Sequence, residues 1–83
     1  MPSRYGLPQE YWARVELVEA DIEIGFRLIE LVECCPEEQG RLVADAERAY
    51  ADVIARVDRL QPAMQGNFAP LVAELRRAID AVQ

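Results

Sequence analysis

The stretch ELVECCPEEQG, residues 30–40, separates two long segments that are rich in helix-forming residues. Pro36 suits the first turn of a helix, because its missing N–H has no intrahelical partner there. Glu37 and Glu38 follow, where the positive end of the helix dipole favours acidic side chains. The stretch therefore predicts a sharp corner at which one helix ends and another begins.

Cys34 and Cys35 lie in the same corner and raise the question of a redox or metal site. Metal sites need ligands that converge, whereas adjacent side chains on a helix diverge by about 100°. The chain contains no other cysteine and no histidine to complete such a site. Reactive cysteines are typically found beside cationic groups, and this corner is acidic. We expect the pair to pack structurally, with redox chemistry or modification as the alternative.

Before the corner, from about residue 8 to residue 34, apolar residues recur every three or four positions, which predicts a helix. The first stripe contains Tyr11, Val15, Val18, Ile22, Gly25, Ile29 and Val32. A second stripe beside it contains Leu17, Ile24, Leu28, Leu31 and Cys35. Together they form an apolar arc wide enough to contact two neighbouring helices. We expect a helix to approach closely at Gly25, since a mid-helix glycine is otherwise unfavourable.

After the corner, similar periodicity predicts two further helices, at about 37–61 and 68–82. Pro62 is expected to end the second helix, because the residue before a proline resists the α conformation. Asn67 is expected to cap the third helix, with Pro70 in its first turn. Short corners favour antiparallel neighbours. We therefore predict an all-α single domain over residues 1–83, an antiparallel up-down-up bundle of three helices in which the third is shorter.

The shorter third helix has a consequence for the surface near the first corner. At 1.5 Å per residue, that helix should stop roughly 10–15 Å short of the two cysteines. Apolar side chains near the corner would then lack a cover, and we predict an interface there for a protein partner or for a second copy of the chain. These candidate interface residues are Leu28, Leu31, Val32, Leu42 and Val43.

A polar strip interrupts the apolar arc of the first helix. It consists of Glu10, Arg14 and Asp21. Spacings of four and seven place these charges along one side of the helix. One interpretation is a salt-bridged chain at the edge of the bundle that reaches the third helix, at Arg76, Arg77 or Asp80. The other is a polar pocket or a specificity device at an interface.

Composition and charge narrow the range of partners. The chain has 83 residues and a net charge of −6, which argues against nucleic acid and anionic membrane surfaces. No apolar run approaches the roughly 18–20 residues of a membrane span, and no signal peptide is visible, so we expect the cytoplasm. Acidic residues predominate between positions 10 and 38, either as a solvated face or as a docking face for a basic partner.

Residues for catalysis are scarce. All nine basic residues are arginine, and histidine and lysine are absent. The chain therefore lacks the residues of a Ser/His or Cys/His pair and of a Schiff base, and we expect no enzyme activity, cofactor or metal. The favoured function is a small helical module for protein–protein interaction or self-association. The alternative is a small-molecule, metal or redox accessory protein that uses Cys34 and Cys35 or the Arg14/Asp21 strip.

Overall fold

The computed structural model describes residues 9–83, and it confirms an all-α fold with three helices. Helix α1 spans Gln9–Cys34, helix α2 spans Gln39–Val57 and helix α3 spans Pro62–Ala81; a 3-10 turn, Pro36–Glu38, joins α1 to α2. Pro8, the predicted first residue of the first helix, lies outside the described residues. None of the three described helices combines the length and the apolar composition that a membrane crossing requires.

The corner between α1 and α2 lies where the sequence predicts it. Cys35 donates its backbone N–H to the carbonyl of Leu31 at 2.8 Å, and Glu38 donates to the carbonyl of Cys35 at 3.0 Å. Pro36 begins the 3-10 turn. Because the turn occupies residues 36–38, α2 begins two residues after the predicted position 37.

The predicted bounds of the second and third helices are wrong at their shared corner, since α2 ends at Val57 and α3 begins at Pro62. Gln61 adopts φ −63° and ψ 147°, the extended conformation that a residue before proline favours, so Pro62 opens α3 instead of only ending α2. The Gln65 side chain then donates to the carbonyls of Leu60 at 2.9 Å and Asp58 at 3.2 Å. These bonds fasten the first turn of α3 to the corner.

Two residues predicted at the start of the third helix therefore take different positions. Asn67, the expected cap, lies within α3, and Pro70 lies in its interior instead of its first turn. The ring nitrogen of Pro70 cannot donate to the carbonyl of Gly66, so α3 lacks one bond of its ladder. Packing of its apolar face must compensate for that loss.

Two clusters of buried residues form the core along the bundle. One contains Val15, Val18, Ile22, Val53, Leu60 and Phe68, and the other contains Ile29, Ala46, Leu75 and Ile79. Both clusters draw on all three helices. In the first cluster, early residues of α1 meet late residues of α2. In the second cluster, late residues of α1 meet early residues of α2. A Cβ atom built on Gly25 would lie 3.0 Å from both δ-carbons of Leu75, which confirms the predicted close approach.

The predicted uncovered patch near the first corner is wrong for four of its five residues, and α3 extends to that corner. The six helical residues before position 68 displace the rest of α3 by about 9 Å along α1, and the Gln39 side chain donates to the Val82 carbonyl. Val32 is only 7% exposed and Leu42 only 3%. Leu28 and Val43 are half-buried against the second core cluster, and Leu31 remains exposed.

Candidate association surface

Three large apolar side chains of α1 face solvent in a line. Leu17 is 46% exposed, Ile24 52% and Leu31 42%. Their spacing of seven residues is close to two full turns, so they follow one face over about 21 Å. We call these three residues the α1 ridge. The sequence places them in the arc that contacts two neighbours, but α2 and α3 cover mainly the first stripe.

Arginines surround the Leu17 end of the ridge. Arg14 of α1, Arg56 of α2 and Arg59 line a depression together with Leu17. Arg59 lies just after α2, where its backbone N–H donates to the carbonyl of Arg56 at 3.1 Å, so the helical path continues beside the ridge. This end of the surface is rich in positive charge.

Aspartates surround the other half of the ridge. A second depression is lined by three aspartates and one arginine together with apolar residues: Asp21, Ile24, Leu28, Asp45, Arg48, Ala49 and Asp52. Asp45 lies 3.5 Å from Arg48 and 3.8 Å from Arg41. Both arginine side chains are more than half exposed, so these ion pairs are weak and exchange readily with other partners. Negative charge therefore lies near Leu28, in contrast to the Leu17 end.

The structure describes the side chains of two members of the predicted polar strip, Arg14 and Asp21. The side chain of Glu10 lies outside the described residues, and Arg14 is exposed at the basic end of the ridge. Asp21 instead pairs with Arg56 of α2, with Oδ2 and Nε 2.7 Å apart. Both atoms are buried, but their alignment does not make a hydrogen bond, so the contact is an ion pair only. The suggested reach of the strip to α3 is wrong, because α2 is the nearer neighbour on this side of α1.

The expected α3 partners of the strip belong to another network. Arg76 donates to the two carboxylate oxygens of Glu47 at 2.6 and 2.9 Å and to Asp80 at 2.7 Å, and the Gln83 amide donates to Glu47. The hydrogen bonds from Arg76 hold the pKa of Glu47 below its usual value. The bonds to Glu47 and Asp80 raise the pKa of Arg76. This network links α2 to α3 far from the ridge.

A groove of about 580 Å³ also lies between α2 and α3. Its apolar lining includes Tyr50, Ile54, Val57, Ala69, Val72 and Ala73. The Arg76 guanidinium lies 4.9 Å from the centre of the Tyr50 ring, a cation–π contact that covers part of the groove. Most of the large side chains here are half-buried, so among the described residues the groove has fewer strongly exposed large apolar side chains than the ridge.

The two cysteines are free thiols, Cys34 exposed and Cys35 half-buried. Within residues 9–83, no three acidic or cysteine side chains converge in a way that would hold a metal ion. The described part of the chain thus supplies no further ligand at the corner. Its geometry is that of a helix end.

Sequence reasoning missed the Glu47–Arg76 pair and the isolation of the α1 ridge. The pair spans 29 residues, and no local pattern indicates such a contact. The ridge has a visible signal, its spacing of seven, but the sequence alone does not say which stripe the other helices cover. Comparison with models of protein families, with curated proteins and with solved structures finds no match for this chain.

Proposed function

We propose that the protein is a non-enzymatic helical module that associates with proteins through the α1 ridge. The observation that carries this proposal is the line of three large apolar side chains that neither α2 nor α3 covers. Single exposed leucines are ordinary on protein surfaces. Aligned ones with charged margins are typical of interaction sites.

The energetics favour a weak, reversible association. Full burial of a leucine or isoleucine stabilises by about 1.5–3 kcal/mol. Since the ridge residues are already about half-buried, covering all three contributes roughly 2–4 kcal/mol. Association itself costs at least about 4 kcal/mol in lost freedom of motion. Contacts at the charged margins are therefore needed, and they would determine which partner binds.

The α2/α3 groove is the less favourable surface for this function. Ile54 is its one strongly exposed large apolar side chain among the described residues, at 38%. The contact of Arg76 with Tyr50 would have to break, or be covered, when a partner enters. Binding there would gain less apolar burial than binding at the ridge.

The test compares two substitutions with matched exposure. The full chain, Ile24→Arg and Leu71→Arg are used to capture proteins from extracts of the cells that express the chain, and each is also run alone by sedimentation. Leu71 is 41% exposed on α3 and serves as the control. We expect association with itself or with another protein that Ile24→Arg abolishes and Leu71→Arg preserves. If neither self-association nor any partner depends on Ile24, the proposed function is wrong.

We also propose that the protein acts in the cytoplasm. The two free thiols support this location, because adjacent unpaired cysteines persist best in a reducing compartment. Cell fractionation with an antibody against the native chain tests it. Recovery in an oxidising compartment would contradict it.

A further inference from the structure

Resting on that proposed function, we propose that the partner at the α1 ridge is a second copy of this chain. The two copies pack α1 against α1 in opposite directions, about a twofold axis near Ile24. Leu17 and Leu31 are each seven residues from Ile24, so the ridge is symmetric about its centre. The twofold axis pairs the two Ile24 side chains and sets Leu17 of each copy against Leu31 of the other.

The charges beside the ridge fit the same arrangement. Arg56 and Arg59 lie beside Leu17, Asp52 lies near the level of Ile24, and Asp45 lies on the other side of the centre. A twofold rotation at Ile24 exchanges the two ends, so the basic end of each copy faces the acidic end of the other. Such a surface is self-complementary without any further partner.

The levels of individual residues can be estimated from the Asp21–Arg56 pair, which puts those two residues side by side. At 1.5 Å per residue, Arg59 lies about 9 Å from the level of Ile24 toward the Leu17 end. Asp45 lies about 12 Å from that level toward the Leu31 end. The twofold rotation brings the level of Arg59 in one copy opposite the level of Asp45 in the other, with an offset of about 3 Å. An arginine side chain can span that offset. Arg59 of one copy therefore meets Asp45 of the other, twice in the dimer.

Other occupants fit the charges less well. A uniformly basic helix of another protein would meet Arg14, Arg56 and Arg59 at one end of the ridge. A parallel pair of α1 helices would set the basic ends of the two copies at the same level. The antiparallel pair instead sets the basic end of each copy at the acidic end of the other.

The contact is small, and glutamates lie along its edge. Glu16, Glu23 and Glu30 are exposed and lie about 100° around α1 from the ridge. Solvent and salt screen their mutual repulsion at that position. The ridge provides much less than the ~800 Å² per partner of a standard interface. We therefore expect a dissociation constant on the order of 100–500 µM.

Sedimentation equilibrium of the full chain, from about 10 µM to about 1 mM, brackets that affinity. We expect a reversible monomer–dimer equilibrium. Ile24→Arg should give a monomer over the whole range, while the control Leu71→Arg should dimerise like the wild type. Circular dichroism of each variant shows whether it is folded, so that loss of dimer is not mistaken for loss of structure.

A charge exchange tests the orientation. Arg59→Glu and Asp45→Arg should each weaken the dimer by about tenfold or more, because each places like charges together at both ends. An equimolar mixture of the two variants should restore dimers of near wild-type affinity, because both contacts again join opposite charges. The restoration also guards against a variant that is merely less stable.

Three outcomes would overturn this proposal: a monomer at all concentrations, a dimer that survives Ile24→Arg, or a mixture that restores nothing. The first outcome leaves the proposed function intact when Ile24→Arg removes another captured protein. In that case the ridge binds a different partner and only the second copy is excluded. When no captured protein depends on Ile24 either, both proposals fail together.

Discussion

Two glycines within helices have opposite surroundings. A Cβ atom at Gly25 would lie 3.0 Å from the δ-carbons of Leu75, whose side chain is fully buried. A Cβ atom at Gly66 would meet nothing within 4 Å. The first glycine is therefore required by packing, and the second only lowers helix stability.

This difference predicts opposite effects of the same substitution. Gly25→Ala should lower the free energy of unfolding by about 1 kcal/mol, since overpacking costs about 1–3 kcal/mol and the gain in helix propensity is at most about 1 kcal/mol. Gly66→Ala should raise it by about 0.5–1 kcal/mol. Urea unfolding followed by circular dichroism measures both. Stabilisation by Gly25→Ala would mean that Leu75 moves freely.

The Glu47–Arg76 pair predicts a pH dependence of stability. Hydrogen bonds from Arg76 lower the folded-state pKa of Glu47 below its usual value of 4.5. A carboxylate with a lowered pKa adds stability above the unfolded-state pKa, and that stability is lost as the pH falls through the folded-state pKa. As the pH falls, Glu47→Gln should therefore lose less unfolding free energy than the wild type.

Urea unfolding between about pH 7 and pH 3 measures this dependence. Glu74→Gln is the matched control, because Glu74 is an exposed glutamate of α3, outside this network. We expect the control to follow the wild type and Glu47→Gln to show a flatter profile. Identical profiles for the wild type and Glu47→Gln would show that the Glu47–Arg76 pair does not contribute to the pH dependence of stability in solution.

At the scale of elements, the start of α3 determines where this helix ends. Because α3 begins at Pro62, its C-terminal end reaches the first corner, where the Gln39 side chain donates to the Val82 carbonyl. A start at residue 68 would have set that end about 9 Å farther from the corner. The position where α3 starts thus decides how far the third helix extends along the other two.

Alanine substitutions at two leucines near the corner test the burial that the structure shows there. Leu42→Ala removes a side chain that is 3% exposed and should cost about 2–5 kcal/mol of unfolding free energy. Leu31→Ala changes a side chain that is 42% exposed and should cost less than about 1 kcal/mol. Thermal unfolding compares the two. Equal small effects would mean that Leu42 is not buried in solution.

Which parts of the fold could be predicted from sequence depends on the range of the interactions. The first corner followed from local chemistry, since Pro36 and the two glutamates act within one turn. The second corner did not, because Pro62 is compatible both with ending α2 and with opening α3. Hydrogen bonds from Gln65 to the preceding corner favour the second possibility, and they form only once the chain has turned.

At the scale of the whole molecule, the candidate site was also only partly predictable from the sequence. The spacing of Leu17, Ile24 and Leu31 is visible in the sequence, but burial of that stripe depends on where α2 and α3 pack. The predicted interface residues Val32 and Leu42 are core residues, and Leu31 belongs to a surface on another face. Apolar periodicity identifies the faces of a helix, while tertiary packing determines which face stays free.

The central claim for the whole molecule is that the α1 ridge joins two copies in opposite directions. Oxidative cross-linking tests it most directly, in a background in which Cys34 and Cys35 are replaced by alanine. Ile24→Cys should form a covalent dimer efficiently, and a mixture of Leu17→Cys with Leu31→Cys should cross-link better than either variant alone. Leu71→Cys should remain monomeric. Cross-linking of Ile24→Cys no better than that of Leu71→Cys would contradict the claim.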